Sequence, residues 1–197
     1  TLTRGGHRVT VLTRHTGQSH RRPELPIHAV EWNARDSGPW EQILQGADAV
    51  INLAGASIAD TRWTDVRKQL IIDSRILTTR LLVRALSRWS SKPVTFISAS
   101  GIGYYGATDD HRLNEGAARG DGFLADLCLA WESEALRAAE HGARVVTLRT
   151  GMVLEQDGGA LPKMLFPFRF FAGGPIRPGS QWVSWIHRRD HIGLIQW

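Results

Sequence analysis

Cysteine is nearly absent from this chain of 197 residues, because Cys128 is the only one. An internal disulfide is therefore excluded, and a reducing compartment is predicted, with the cytoplasm as the default location. Long apolar runs are also lacking: no stretch approaches the roughly 18 consecutive apolar residues of a membrane span, and the first residues lack the apolar core of a signal peptide. These absences predict a soluble protein with one sizeable core.

Acidic residues are fewer than basic ones, with 19 Asp and Glu against 24 Lys and Arg, so the net charge is +5. Such a balance suits an anionic partner, and the segment from Arg14 to Glu24 concentrates basic residues. No basic stripe interleaved with aromatic residues occurs, however, so nucleic acid is not the expected partner. We expect a small-molecule substrate, and an anionic group on that substrate would suit the positive charge of the protein. No membrane partner is expected. The oligomeric state stays open.

Short runs rich in β-branched residues alternate with longer helical patterns. Five of these runs predict strands: HRVTVLTR (7–14), IHAVEW (27–32), ADAVINLAG (47–55), KPVTFISAS (92–100) and ARVVTLRTG (143–151). Strands and helices in alternation predict an α/β fold with a parallel sheet and right-handed crossovers.

Two longer segments predict helices. The first spans residues 64–89, with Thr64 as its N-cap. Its predicted apolar face consists of Val66, Leu70, Leu77, Leu81, Ala85 and Trp89. The second runs from about Asp121 to His141 and ends at Gly142, with a predicted apolar face of Phe123, Leu127, Trp131 and Ala135.

Small residues follow two of the predicted strands, in INLAG (51–55) and SASGIGYYG (98–106). In a doubly wound sheet, ligands bind beyond the carboxyl ends of the strands, where small residues let the backbone approach a cofactor. Two such strand ends side by side favour a binding site there over a pair of tight turns.

Five stretches carry a family resemblance: INLAGASIADTRWTDVRKQLIIDSRILTTRLL, SASGIGYYG, LRTGMVL, GGALPKMLFPFRFFAGGPI and WVSWIHRRD. Together they resemble the atypical short-chain dehydrogenase/reductases of the "epimerase family protein" group, which are related to extended nucleotide-sugar epimerases. The resemblance implies a doubly wound Rossmann-type parallel sheet with helices on both faces. It also implies an NAD(P)-binding Rossmann domain at residues 1–160, and at 161–197 the start of a smaller substrate-side region interleaved with the last Rossmann elements.

The ends of the sequence predict that parts of this fold lie outside the chain. TRGGHRV (3–9) is typical of a helix end followed by a strand, so the first strand, the glycine-rich phosphate turn and the C-terminal part are expected to be missing. Residues 1–197 alone are then expected to bind a dinucleotide weakly and to aggregate along an unpaired strand flank.

One residue argues for the identity of the cofactor. Related enzymes read the adenosine ribose at the strand end that here reads LTR, and the guanidinium of Arg14 suits the 2′-phosphate of NADP. An acid would accept hydrogen bonds from the 2′-hydroxyl of NAD, but none follows before Glu24. NADP is therefore expected and NAD is the alternative, unless Arg14 is an ordinary surface arginine. The residues that the resemblance places around the cofactor are Arg14, Asn52, Leu53, Ala54, Gly55, Ser98 and Ala99.

The usual catalytic pair of such enzymes is missing. A tyrosine moves the proton and a lysine four residues later, on the same helix face, lowers the pKa of that tyrosine. Aligned on Glu132, these two positions hold Leu124 and Cys128, and a shift by one residue is no better. Cys128 is more readily explained as a small core residue than as a nucleophile, because no histidine or cationic pocket is evident beside it.

Other residues are the candidates for catalysis. Ser100 matches the serine position of the family, Tyr104 and Tyr105 offer a replacement phenol, and Glu115 is placed to hydrogen-bond a substrate hydroxyl. The alternatives are a turn residue that bonds the backbone, for Ser100, and packing, for at least one tyrosine.

The C-terminal stretch supplies candidates on the substrate side. Lys163 and Arg169 lie in the aromatic run LPKMLFPFRFFAGGPI and suit an anionic substrate, although a helix with a core and a surface face is an equal alternative. The resemblance places His187 at the edge of the substrate cleft. No metal is expected at His187, Asp190 and His191, because a strand-to-helix boundary is predicted between them.

Two functions follow. The first is an NADP-dependent oxidoreductase or epimerase that acts on a small polar or sugar-like substrate through non-standard acid-base residues. The second is an NADP-binding sensor or scaffold that has lost catalysis.

Overall fold

The computed structural model describes residues 2–14, 27–89, 92–174 and 179–197. The strands are β1 (Val9–Thr13), β2 (Ile27–Glu31), β3 (Ala49–Asn52), β4 (Thr95–Gly101), β5 (Arg144–Thr150), β6 (Met152–Glu155), β7 (Gly158–Gly159) and β8 (Trp185–His187). The α-helices are α1 (Asp65–Trp89), α2 (Phe123–Leu136), α3 (Ala160–Leu165) and α4 (Arg188–Gln196). Short 3-10 helices lie at Thr3–Gly5, Pro39–Leu44, Ile102–Tyr105, Arg137–His141 and Pro167–Phe170. All five strands that the sequence predicts are present.

The chain groups into two compact units. The first comprises Thr1–Ser100 and Asp126–Leu148, and the second comprises Gly101–Ala125 and Arg149–Trp197. This grouping reflects contact density, so the functional boundary at residue 160 stays a prediction. Of the basic segment from Arg14 to Glu24, only Arg14 belongs to the described residues.

The first unit is built on parallel strands. β1 pairs with β2 from Val9 opposite Ile27 to Thr13 opposite Glu31. β3 pairs with β4 in parallel from Ala49 opposite Thr95, and β5 flanks β4 on its other side. Neighbouring parallel strands need a long crossover connection, and α1 lies in the connection that joins β3 to β4 along the chain. This arrangement confirms the predicted α/β fold class with parallel sheets.

The buried face of α1 differs from the predicted one. Thr64 caps the helix as expected, since its Oγ1 accepts the backbone N–H of Arg67 at 3.2 Å. However, Val66 is 82% exposed, and the residues of α1 that are buried are Ile71, Thr78, Thr79, Leu82, Val83, Ala85 and Leu86. The predicted face is confirmed in the C-terminal part of α1, where Ala85 is buried and Leu81 and Trp89 pack against the core. It was wrong in the N-terminal part, where Val66, Leu70 and Leu77 are exposed and the buried positions include two threonines that look polar in sequence.

The core of the first unit lies between this face and the sheets. Leu82, Leu86 and Phe96 cluster there with Trp32 and Trp40 from the chain beyond β2. The face predicted for α2 is confirmed at its centre, because Leu127, Trp131 and Ala135 are all buried. The helical segment ends at Gly142, whose φ of 79° lies in the left-handed region that favours glycine.

The second unit contains a small sheet in the order β7-β6-β8. β6 pairs antiparallel with β7 and in parallel with β8. α4 begins directly after β8, and the Nδ1 of His187 accepts the backbone N–H of Arg189 at 3.2 Å, which caps the helix. Among the helices that the structure describes, none combines the length and the apolar character needed to cross a membrane.

Candidate functional site

The turn after β3 is held by buried polar contacts. Asn52 is 3% exposed, its Nδ2 donates to Thr79 Oγ1 at 2.9 Å, and its Oδ1 accepts the backbone N–H of Ala54 at 3.2 Å. Thr79 Oγ1 also accepts the indole N–H of Trp131 at 2.9 Å. The buried side chain of Asn52 therefore fixes the turn through hydrogen bonds, and its predicted contact with the cofactor stays a prediction.

The turn itself presents backbone to solvent. Leu53 is 57% exposed and Gly55 is also exposed. An added Cβ at Gly55 would lie 2.9 Å from Arg75 Cζ, so glycine is what lets the guanidinium reach the underside of the turn. Arg75 Nη1 donates to the carbonyl of Ala56 at 3.0 Å. The sequence analysis missed Arg75, although its spacing from Ile71 and Thr78 puts it on the true buried face.

The end of β4 alternates buried and half-buried side chains. Ser98 is fully buried, so its predicted contact with the cofactor requires the backbone, while Ala99 faces the other way and is half-buried. Ser100 comes next and is 8% exposed. The pleat of the strand directs Ser98 and Ser100 to the same face.

Ser100 has an acidic partner. Its Oγ donates a hydrogen bond to Glu132 Oε1 at 2.6 Å, and Glu132 is only 7% exposed. A short bond of this kind is typical of a hydroxyl that donates to an ionised carboxylate. Glu132 was not among the predicted site residues; the available signal was an acid directly after Trp131 on the apolar side of α2.

The positions of the missing catalytic pair hold packing residues. Cys128 is buried with 6% exposure, and Leu124 is half-buried. A Cβ added at Gly103 would lie 3.0 Å from Leu124 Cβ, so the leucine packs closely on the segment after β4. These two positions therefore hold neither a tyrosine nor a lysine, whereas Ser100 and Glu132 of the first unit form a buried hydrogen-bonded pair.

Both tyrosines lie around one arginine in the second unit. The guanidinium carbon of Arg149 lies 3.5 Å from the ring centroid of Tyr104 and 5.1 Å from that of Tyr105. Arg149 Nη1 donates to Tyr105 Oη at 3.0 Å, and Tyr105 Oη donates to the carbonyl of Asn114 at 3.1 Å. Within the described residues Tyr104 Oη makes no hydrogen bond, so Tyr104 is the better candidate for a phenol that faces a ligand.

The tyrosine segment is held by a close backbone crossing. The N–H of Gly120 donates to the carbonyl of Tyr104 at 3.0 Å, and a Cβ at Gly120 would lie 2.1 Å from the carbonyl oxygen of Tyr105. Glu115 is exposed, and its carbonyl accepts from Arg149 Nη1 at 3.0 Å. The predicted group of Tyr104, Tyr105 and Glu115 is thus brought together by Arg149, which the sequence analysis did not single out.

The remaining substrate-side candidates are exposed in the second unit. Lys163 and Arg169 lie on α3 and on the 3-10 helix that follows it, and the imidazole of His187 caps α4. Nε2 of the neighbouring His191 forms a hydrogen bond with Thr150 Oγ1 at 3.0 Å. In the described part of the chain, no three His, Cys, Asp or Glu side chains are grouped as a metal site would need.

Comparison with known proteins decides the family. Residues 1–197 match the NAD dependent epimerase/dehydratase family over their whole length. The chain belongs to this family. It is 39% identical over 197 residues to the epimerase family protein YfhF of Bacillus subtilis (strain 168), and spans 63% of that relative.

Solved structures agree with this epimerase/dehydratase assignment. The human epimerase family protein SDR39U1 (isoform2), crystallised with NADPH, is 31% identical to the chain with a TM-score of 0.81. The alignment covers 99% of this chain and 62% of the human one. The UDP-glucuronic acid 4-epimerase of Bacillus cereus aligns over 98% of this chain and 66% of its own, with a TM-score of 0.79 at 18% identity, a likeness that shows the fold alone. The fold is Rossmann-like, as predicted.

The residues of this epimerase/dehydratase chain fit a dinucleotide at the strand ends. The exposed turn at Leu53 and Gly55 leaves backbone open to a ligand, and no side chain projects over it at residue 55. Arg14 follows the last residue of β1 and is exposed. Among the described residues Arg14 has no hydrogen-bond or ionic partner, and its predicted contact with a phosphate stays a prediction.

Proposed function

We propose that the protein is an NADP-dependent oxidoreductase or epimerase that acts on a small polar or sugar-like substrate, with Ser100 and Glu132 as its proton-transfer residues. The observation that carries this proposal is the buried 2.6 Å hydrogen bond from Ser100 Oγ to Glu132 Oε1. Membership of the epimerase/dehydratase family supports the reaction class.

The Ser100–Glu132 pair has the chemistry of a proton relay. When a substrate hydroxyl is oxidised, Ser100 Oγ takes the hydroxyl proton while its own proton passes to the carboxylate of Glu132. When a carbonyl is reduced, both transfers run in reverse and the new hydroxyl receives the proton from Ser100. A bound NADP(H) supplies the hydride acceptor or donor. Because both side chains are more than nine-tenths buried, little bulk water competes for the proton.

The other predicted residues are proposed to bind and orient cofactor and substrate. In the first unit, Leu53, Ala54 and Gly55 offer backbone to the adenosine and ribose side, and Ala99 follows on the nicotinamide side. In the second unit, Tyr104 offers a hydroxyl that makes no hydrogen bond within the described residues, and Glu115 offers an exposed carboxylate for a polar substrate. Lys163, Arg169 and His187 are proposed to meet an anionic substrate group, and the cytoplasm is the proposed location.

Cofactor preference is tested at Arg14. We expect Arg14→Ala to weaken NADPH binding about tenfold to a hundredfold and to leave NADH binding unchanged, since a charged hydrogen bond to the 2′-phosphate contributes about 1.5–3 kcal/mol. Calorimetric titration of both cofactors measures this. The matched control is Arg84→Gln, which removes the same charge from an exposed position on α1. Equal affinities of the wild type for NADPH and NADH contradict the assignment.

The absence of the usual catalytic tyrosine and lysine is tested by introducing both residues. Leu124→Tyr combined with Cys128→Lys is expected to give no gain in native turnover, because Cys128 is buried and close enough to Arg75 to interact with its charge, so a lysine there would be desolvated beside a like charge. The measurement is kcat with the native substrate beside a thermal unfolding scan. A severalfold rise in kcat would show that the reaction uses the usual positions after all.

The whole proposal is tested by turnover. Purified protein is incubated with NADP or NADPH and a panel of sugars, nucleotide sugars and ketones, and absorbance at the nicotinamide band is followed. Epimerisation returns the hydride to the substrate, so each mixture is also analysed for an epimeric product. The apolar residues Leu124 and Cys128 favour a second candidate, a non-catalytic NADP-binding sensor. NADPH binding without turnover or epimerisation on any substrate would support that candidate and overturn the enzyme.

A further inference from the structure

Two arginines of α1 hold the turn that follows β3. Arg67 and Arg75 are eight residues apart, just over two helical turns, so they lie on one side of the helix. Arg67 Nη2 donates to the carbonyl of Ser57, and Arg75 Nη1 donates to the neighbouring carbonyl of Ala56 at 3.0 Å. Two cationic side chains therefore donate hydrogen bonds to consecutive backbone carbonyls of the turn after β3.

Neither guanidinium has an acidic partner among the residues that the structure describes. The other bonds of Arg75 run from the same Nη1 to the carbonyl of Ile71 at 3.2 Å and to Ser74 Oγ at 3.4 Å. Its Nη2 and Nε donate no hydrogen bond within the described chain. Arg67 Nε is buried and has no acceptor there.

The charge of this pair is poorly compensated. Burial lowers the pKa of Arg75, and the charge of Arg67 lowers it further, while Cys128 acts in the opposite direction. The face of Trp131, 5.2 Å from Arg75 Cζ, gives only partial compensation through its π electrons. Arg80 on the same helix illustrates the contrast, because it donates to the carboxylate of Glu134 at 2.9 Å.

The position of Arg75 connects the cation with an exposed surface. Gly55 lies directly over the guanidinium, and the 2.9 Å distance from its virtual Cβ leaves no room for a side chain between them. Leu53 and Gly55 are exposed. Nη2 and Nε of Arg75 make no bond in the described chain and are not fully buried, so they are open to a ligand at the edge of the turn.

We propose that Arg75, supported by Arg67, binds a phosphoryl group of a ligand that lies on the turn at residues 53–57. A guanidinium presents a planar set of N–H donors that matches phosphate oxygens, and Nη2 and Nε of Arg75 are the donors left for it. The phosphoryl group comes either from the dinucleotide or from a phosphorylated substrate. This proposal rests on the proposed function only for the identity of the ligand, and the existence of the site does not depend on it.

The test uses inorganic pyrophosphate as the probe, titrated calorimetrically into the purified protein. Arg75→Gln is expected to weaken its binding about tenfold to a hundredfold, and Arg67→Gln by a smaller factor. Arg84→Gln, on the exposed side of the same helix, is expected to leave it unchanged. If Arg84→Gln weakens binding as much as Arg75→Gln, the attraction is general and the site is refuted.

A second variant covers the case in which Arg75→Gln fails to fold. Gly55→Ala keeps the charge but displaces the guanidinium, so it is expected to weaken pyrophosphate binding severalfold, whereas Gly116→Ala, where the added Cβ makes only an ordinary contact, is expected not to. A folded Arg75→Gln or Gly55→Ala variant with wild-type affinity overturns the proposal, as does a wild type that binds no pyrophosphate at millimolar concentration.

Two further titrations identify the source of the phosphoryl group. If Arg75→Gln weakens NADPH binding, the dinucleotide supplies the group. If it weakens binding of UDP, used as a nucleoside diphosphate, and leaves NADPH unchanged, a phosphorylated substrate supplies it. None of these titrations depends on turnover, so loss of the proposed oxidoreductase activity and loss of the phosphoryl site would be seen separately.

Discussion

Glu132→Gln is expected to lower kcat by about a hundredfold to ten-thousandfold, the range in which a positioned acid-base group contributes. Glutamine keeps an oxygen that accepts the hydrogen bond of Ser100 but cannot take up its proton, so the geometry survives while the relay stops. Measurement of kcat beside circular dichroism of the folded variant tests this.

The control for this variant is Glu134→Gln. Glu134 is also 7% exposed and lies two residues further along α2, but its carboxylate is bonded to Arg80 and Arg137. We expect Glu134→Gln to lower stability and to leave kcat unchanged. Ser100→Ala should resemble Glu132→Gln, and the double variant should be little worse than either, since the two residues act in one step. A Glu132→Gln enzyme with wild-type kcat would exclude the relay.

Thr79→Val is expected to lower the free energy of unfolding by about 2–6 kcal/mol. Valine has the shape of threonine, but it leaves the Asn52 Nδ2 and Trp131 Nε1 donors without their shared acceptor, and each orphaned buried donor costs about 1–3 kcal/mol. Thr79 is fully buried, so water cannot replace the lost oxygen. Urea unfolding followed by circular dichroism measures the change.

The neighbouring threonine is a matched control. Thr78 is 1% exposed, but its Oγ1 makes a single long bond, 3.5 Å, to the carbonyl of Ala34. Thr78→Val is therefore expected to change the stability by less than about 1 kcal/mol. If the two valine variants are equally stable, the shared acceptor at Thr79 contributes nothing, and the turn after β3 is held by other contacts.

Much of the fold could be predicted from local patterns. The five strands, the two long helices, the cap at Thr64 and the stop at Gly142 depend on neighbours within a few residues, which the sequence displays directly. The N-terminal part of the predicted face of α1 was wrong, because Thr78 and Thr79 look polar in sequence although both are buried. Asn52 and Trp131 make Thr79 suitable for the core, and both are distant along the chain.

The candidate site also contains some residues that the sequence predicted and others that it did not. Ser100, the small residues after β3 and the loss of the usual tyrosine and lysine were evident from motifs and spacing. Glu132, Arg75 and Arg149 were not, because each is defined by a partner in another element: Ser100, Ala56 and Tyr105. A charged residue in a helix is ambiguous by itself, since most such residues face solvent.

The sequence by itself determined the class of this protein: an α/β chain of the epimerase/dehydratase family whose usual catalytic pair is absent. These properties follow from periodicity and motif, which are local in the chain. The tertiary structure alone decided which polar groups act together, because hydrogen bonds between β4 and α2, or between α1 and the turn after β3, join residues 32 and 19 positions apart. Burial separates Glu132 and Glu134 from carboxylates that face water, and their partners separate the two from each other, because Glu132 accepts a hydrogen bond from Ser100 and Glu134 is paired with Arg80 and Arg137.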